Sequence, residues 1–495
     1  MNSNSNIAGD KAKKTANCSR CRIASAIILA AIAASVSSGQ NVPQLGAPPA
    51  PPAKPSKPTP FTLSGVYTLS GKGDKSTGKA YNSDTKDVSA VYVKAGGDLT
   101  LLEPAITTSG DTSSDENSSF YGLNAAVLGG RGGKIKITGG SITTGGSGAN
   151  AVYATGSGAS ITMVKTKIVA TGEGAHGVMT SAGGTLNLTD LDVSTTGANA
   201  AAIATDKGGG TITVAGGTFT TAGEKSPAIY CTGIIKASDA TLTATGAEAA
   251  IIDGKNSITL VNTKLSGQKS RGVMIYQTGP TNIAGTVGTF NMKGGSLLAG
   301  EGPLFYVTNT TATILVSGVN LNASSGILVK AAADEWGTTG SNGGAVNFTA
   351  DHEALTGDLA AESPSTIVAK LQNETTLNGT VTGAAISLDS TSIWTLTGDS
   401  TITVLVDAQG APNRSFTNIV GNGHDAHYDA SLTGNSWLGG KTYKLASGGK
   451  LIPTPGTTRN NQNNNGQNNN GRGYGGPGGG GSGGFGGGGG GGGHR

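Results

Sequence analysis

One phrase is written repeatedly through the middle of this chain, most plainly from Gly177 to Asp253. A small residue and an aliphatic pair lead into a glycine turn. An alternating segment, a short turn, a second alternating segment and Thr-x-Gly follow. An aliphatic or aromatic anchor returns at Val91, Val127, Val152, Val178, Ile203, Ile229, Ile251, Val273, Phe305 and Ile327. The steps are 36, 25, 26, 25, 26, 22, 22, 32 and 22 residues. Periods of about 20–50 residues mark arrays whose units bury their apolar faces only by stacking. Within each period the apolar residues alternate with polar ones, as in Ile161-Thr162-Met163, Leu186-Asn187-Leu188 and Ile212-Thr213-Val214. A second set follows at Ile168, Val193, Phe219, Leu242, Leu265 and Leu297. A period of two belongs to strands, so the apolar set should point inward and Thr, Ser, Asn and Lys outward.

Ten such coils, stacked in parallel register at about 4.8 Å each, predict a rod of roughly 50 Å. The composition agrees: Gly is 84 of 495 residues and aromatics are 4%, which favours short strands with many turns over helix bundles. The two longest steps contain Gly110–Ser119 and Tyr276–Gly288. Insertions into a stack fall in surface loops, because the neighbouring coils still pair.

The flanks differ from the repeats. Residues 1–39 hold a basic segment and the apolar run Ile23–Val36, which is short of the roughly 20 residues of a membrane-spanning helix. The segment fits a signal peptide cut near Ser38 or Gly39, or an uncleaved signal anchor. Cys18 and Cys21 precede that run and are too few for a structural zinc site. Residues 40–60 form a proline-rich, extended linker. Residues 61–364 carry the coils. In 365–453 the period shortens, and Trp394 and Trp437 are expected to close terminal coils as a cap. Residues 454–495 are an Asn/Gly-rich tail that cannot bury a core and reads as disordered. Five basic residues and one acid precede the apolar run, so the remaining 29 basic and 29 acidic residues cancel. A neutral body offers no electrostatic basis for binding nucleic acid. A membrane contact would come only through the N-terminal segment, if it is retained.

The GGxIxI, GGx(I/F), T-x-G and A-x-(I/V)-Y phrases, over about Phe61 to Ser400, resemble right-handed parallel β-helix proteins. These are the pectate-lyase-like solenoids and the passenger regions of bacterial surface adhesins. The resemblance implies an all-β, right-handed parallel β-helix solenoid with a C-terminal cap and disordered termini. It also implies either an adhesin-like surface role or a polysaccharide lyase or hydrolase with carboxylates on the outside of adjacent coils.

No cluster of that kind stands out. Asp190 and Asp239 occupy one turn column, two coils or about 9.6 Å apart. Lys165, Gly216 and Asn262 share that column, and Gly, Asp and Asn are the residues that tolerate left-handed turns. Asp253, Lys269 and Arg271 place an acid beside bases near the Tyr276–Gly288 loop. Asp425, His427 and Asp429 would share one face of a strand, a pattern that suits either a metal ion or a charged edge. No catalytic residue, metal or cofactor is expected. The expected function is a non-enzymatic, secreted or cell-surface, adhesin-like structural protein. Its partners would be polysaccharide or cell-surface and matrix components. The alternative is a β-helix polysaccharide lyase or hydrolase.

Overall fold

The computed structural model describes residues 60–278 and 286–455. The leader 1–39 with Ser38 and Gly39, the linker up to Thr59 and the tail from Gly456 lie outside the described residues.

The chain winds into a parallel β-solenoid of about 15 turns. A representative turn has strands Val152–Thr155, Ser160–Val164 and Lys167–Ala170. The next has Val178–Ser181, Gly184–Thr189 and Asp192–Thr195. Each strand pairs in parallel with its counterpart one turn later, so three sheets run along the stack. The ten anchors undercount the turns, because pairing starts at Ser64–Ser70 and continues to Lys450–Thr454.

The second and third sheets follow the alternating pattern. Ile135, Ile161, Leu186, Ile212, Ile235, Ile258 and Phe290 stack in register inside the second sheet. Ile168, Val193, Phe219, Leu242, Leu265 and Leu297 stack inside the third. All are buried. Burying each such side chain contributes about 1.5–3 kcal/mol.

The Thr-x-Gly phrase has a steric and a hydrogen-bonding cause. A Cβ on Gly172, Gly197 or Gly223 would lie 1.9, 1.9 or 1.8 Å from the carbonyl oxygen of Gly146, Gly172 or Gly197 in the preceding turn. Only glycine lets those backbones stack. The threonine of the same phrase closes the bend: Thr195 Oγ1 donates to Ala200 O and Thr221 Oγ1 to Ser226 O, both at 2.5 Å. The other corner is left-handed. Lys165, Asp190, Gly216, Asp239 and Asn262 all have φ between 48° and 71°. Asp190 and Asp239 are therefore turn residues.

The first sheet departs from the expectation of a polar exterior. From Val88–Lys94 to Phe305–Val307 its strands are largely buried on both faces. Tyr92, Leu128, Tyr153, Met179, Ala204, Tyr230, Ile251, Met274 and Tyr306 form one outward-facing column. This explains two anchors that miss register. Val273 pairs with Ala250, not Ile251, and Phe305 pairs with Val329, not Ile327. Ile251 is only 3% exposed, but it lies on the outer face. A strand apolar on both faces carries no alternation to set its register.

Two insertions cover that face. The segment expected as a polar loop at Gly110–Ser119 runs into helix α1, Asp115–Tyr121. Ser114 caps its N-terminus by accepting from Asn117 N, and Gly122 ends it at φ 78°. Helix α1 reaches along the stack. Ser119 O accepts from Tyr153 OH, Phe120 O from Ser181 Oγ at 2.7 Å, and Tyr121 OH from Lys207 Nζ at 3.0 Å. The second insertion, between Ala331 and Ala345, packs Trp336 onto Tyr276 with ring centroids 4.6 Å apart.

At the C-terminal end, strands Tyr443–Ala446 and Lys450–Thr454 pair antiparallel, which ends the parallel stack. Trp437 covers this end, 6.2 Å from Phe416. Trp394 does not: it is fully buried between Leu377 and Ile419, as a core residue of the third sheet. Among the described residues no helix is long and apolar enough to cross a membrane.

The glycine column makes a direct prediction. Gly197→Ala should lower stability by about 1–3 kcal/mol, since the methyl must displace a backbone carbonyl. Urea unfolding followed by far-UV circular dichroism measures it, and an unchanged midpoint would refute the close approach.

Candidate functional site

Strands of the first sheet end in a short outward turn. After Ile203–Thr205 comes Asp206, and Asp253 closes the strand Ala250–Asp253 two turns later. In the next turn Tyr276 is the register partner of Asp253. Tyr230, from the turn between the two aspartates, packs against the apolar columns on both sides. Helix α1 leans toward this sector through Tyr121 and Lys207. The second insertion leans back toward it through Trp336 and Tyr276. The aspartates thus sit among tyrosines, between the two insertions.

Their electrostatics follow from that setting. Burial pushes the Asp206 carboxyl up to about 6, opposed by the backbone N–H of Lys207 and reinforced by the neighbouring Asp253. Asp206 keeps partial solvent access although protein crowds it on most sides. Burial also raises Asp253, opposed by Thr278, whose N and Oγ1 both donate to it at 3.1 Å. Burial raises the Tyr230 and Tyr276 hydroxyls further above their ordinary value. Lys207 is beside Asp206, but its ammonium rests over the rings of Phe120 and Tyr121 at 4.6 and 5.1 Å. Just beyond these aspartates, a groove of about 600 Å³ is lined by Gly183, Gly208, Gly233, Ile234 and Asn256, among others. Partly accessible carboxyl groups can hydrogen-bond sugar hydroxyls, and the tyrosine rings beside them can stack a sugar ring. A carboxyl titrating near 6 can also exchange a proton.

The expected trio separates. Asp253 belongs to this sector. Lys269 does not: it pairs with Glu301 at 2.7 Å, and both are exposed. Arg271 is 4% exposed and faces Glu248 Oε1 at 3.2 Å and Asp334 Oδ2 at 3.8 Å. Its guanidinium lies 4.4 Å over the Tyr306 ring, and Tyr306 OH donates to Asp334 at 2.7 Å. This charge holds the second insertion against the stack.

Asp425, His427 and Asp429 lie on or beside the strand Ala426–Asp429, which is paired on both sides and is not an edge. Asp425 accepts from Lys450 N at 2.8 Å. Asp429 is covered, and accepts from Ser431 N and Oγ at 2.9 and 2.6 Å. His427 and Asp429 alternate with the buried Ala426 and Tyr428 along the strand, and Asp429 is the more buried of the two. Among the described residues no three His, Cys, Asp or Glu side chains are grouped as metal ligands. His176 is structural: Asn150 Oδ1 accepts from its backbone N–H, and its ring Nδ1 accepts from Ala201 N, each at 2.9 Å. Burial pushes its imidazole down to about 4, so the ring is neutral.

Sequence reasoning missed Asp206 and Tyr230. The signal was present: both aspartates directly follow the aliphatic segment of the first strand, in Ile203-Ala204-Thr205-Asp206 and Ala250-Ile251-Ile252-Asp253.

The raised carboxyl has a stability consequence with a definite sign. The native state holds the Asp206 proton above the pH at which the unfolded chain releases it. Stability should therefore fall as pH rises from about 4 to about 6. Asp206→Asn should flatten that decline and raise the urea midpoint at pH 7. An unaltered pH profile would show that Asp206 titrates normally.

No family model, curated protein or solved structure matches this chain.

Proposed function

We propose that this chain is an exported, cell-surface or secreted β-helix rod that binds glycans without cleaving them, akin to the adhesin-passenger and pectate-lyase-like solenoids. The N-terminal segment would direct export, and the proline-rich linker would space the rod from its attachment. The observation that carries this reading is the outer surface. The second and third sheets present outward ladders rich in hydroxyls: Thr185, Thr211, Ser257, Thr289 and Thr313, interrupted only by Ile234, and Thr220, Thr243 and Ser266. Such hydroxyls offer many weak polar contacts to a polysaccharide or matrix surface. The charged groups that could do chemistry are instead spent in structural pairs, as at Arg271 and Lys269.

A second reading rests on Asp206 and Asp253. Two carboxyls two coils apart on one outward column lie near the upper end of the roughly 6.5–9.5 Å spacing of an inverting glycosidase. A proton donor with a raised pKa is one requirement of that reaction.

One experiment separates them. The purified chain is incubated with a panel of polysaccharides, and both retention and reducing-end release are measured. Retention without release is expected, weakened at least several-fold by Tyr230→Ala. Release that disappears in Asp206→Asn and Asp253→Asn would establish the enzyme instead. Absence of both retention and release would sink the glycan reading.

A further inference from the structure

One corner of the terminal turns buries oxygen atoms that have no hydrogen-bond partner. Strand Ser400–Asp407 of the second sheet ends at Asp407. Strand Ser415–Val420 of the third carries Asn418, and Ser392 immediately precedes strand Ile393–Thr395. Asn418 ties the three segments together. Its Nδ2 donates to Asp407 Oδ1 at 3.1 Å and approaches Ser392 O at 3.5 Å. Asp407 Oδ2, Asn418 Oδ1 and Ser392 Oγ are sealed from solvent and make no hydrogen bond. Ser392 is 0% exposed and Asn418 2%.

The chain distorts to produce this arrangement. Pairing slips register within Ser415–Val420, and Asn418 and Ile419 are both buried although they are consecutive. A regular strand would bury only one of them. The slip therefore brings an amide oxygen into a site where it has no protein partner. A buried polar atom without a partner is unfavourable, because it has lost its water without gaining a replacement. Three such atoms, on residues that Asn418 Nδ2 links to one another, call for an occupant.

The donor set defines that occupant. A carboxylate, an amide carbonyl and a hydroxyl are hard oxygen ligands, with neither nitrogen nor sulfur in the set. No Lys, Arg or His pairs with Asp407 within 4.0 Å among the described residues. A second carboxylate adjoins the corner: Asp389 Oδ1 accepts from Ser392 N at 2.9 Å. Asp407 Oδ1 accepts from Gln409 N at 2.8 Å as well as from Asn418 Nδ2, so neutral N–H donors meet it but no cation does; water would supply protons to the orphaned oxygens without adding one. A divalent cation answers both.

We propose that Asp407, Asn418 and Ser392 form a binding site for a hard divalent cation of the calcium class. Calcium takes 6–8 oxygens, so backbone carbonyls and water complete its coordination. Gln409 and Thr417, hydrogen-bonded to each other at 2.8 Å, lie on the solvent side of the corner. The ion would join the strands that support the aromatic cover of Phe416, Trp437 and Tyr443.

The test uses the full chain, stripped with a chelator and then titrated with Ca²⁺. Calorimetric titration should show one site per chain in this region. Saturating Ca²⁺ should raise the melting midpoint by about 2 °C or more. Asp407→Asn should abolish both the binding and the shift, while its cation-free midpoint matches or exceeds that of the unsubstituted chain. Asp425→Asn, at a partly exposed carboxylate of the same end, should retain both. If Asp407→Asn fails to fold, Ser392→Ala carries the same comparison. No heat and no shift in the unsubstituted chain would overturn the proposal, as would a shift that survives Asp407→Asn and Ser392→Ala.

Discussion

Close parallel stacking of each turn on the last is the constraint from which the other features follow. Backbone carbonyls at the Thr-x-Gly corner sit where a side chain would have to go, so glycine recurs at Gly146, Gly172, Gly197 and Gly223. The same spacing makes side chains pile into single-residue columns, and each column must be tolerable to itself. Aliphatic columns fill the interior, and hydroxyl columns face solvent. Charged columns are broken up: Lys165, Asp190, Gly216, Asp239 and Asn262 alternate along one corner instead of repeating one charge. Like charges held one rung apart would repel, so the mixture is what such a stack requires.

This explains what was legible in the sequence. The second and third sheets alternate strictly, and their register could be read residue by residue. The left-handed corner was also legible, because Gly, Asp and Asn recur there for a backbone reason. The first sheet was not, because Ala250, Ile251 and Ile252 are apolar on both faces and leave no period to read. Helix α1 was hidden inside a polar insertion, although Ser114, the acidic residues Asp115 and Glu116, and Gly122 spell out its two ends. Trp394 looked like a cover because it is large and near the end. Its neighbours in the column, Leu377 and Ile419, make it core.

The candidate site was legible only in part, for the same reason. Asp253 could be found because it lies beside a long insertion. Asp206 could not, because its proximity to Asp253 depends on first-sheet register. Arg271 reads in sequence as a base near Asp253, but its charge is consumed by Glu248 and Asp334. Removing one partner of a buried ion pair is costly, so such a residue can be important without touching a ligand. The polar cluster around His427 shows the reverse case. Its density in sequence came from a strand entering a bend, where Asp429 serves the backbone.

Helix α1 changes the mechanics of the rod. In a simple stack each turn holds only its two neighbours, and a pull along the axis can peel turns away singly. Through Ser119, Phe120 and Tyr121, the helix grips three later turns, at Tyr153, Ser181 and Lys207. Those turns must then yield together. A rod attached at one end and loaded at the other would resist tension at this splint, and the sector of Asp206 and Tyr230 lies directly past it. A ligand held there would keep its geometry under load.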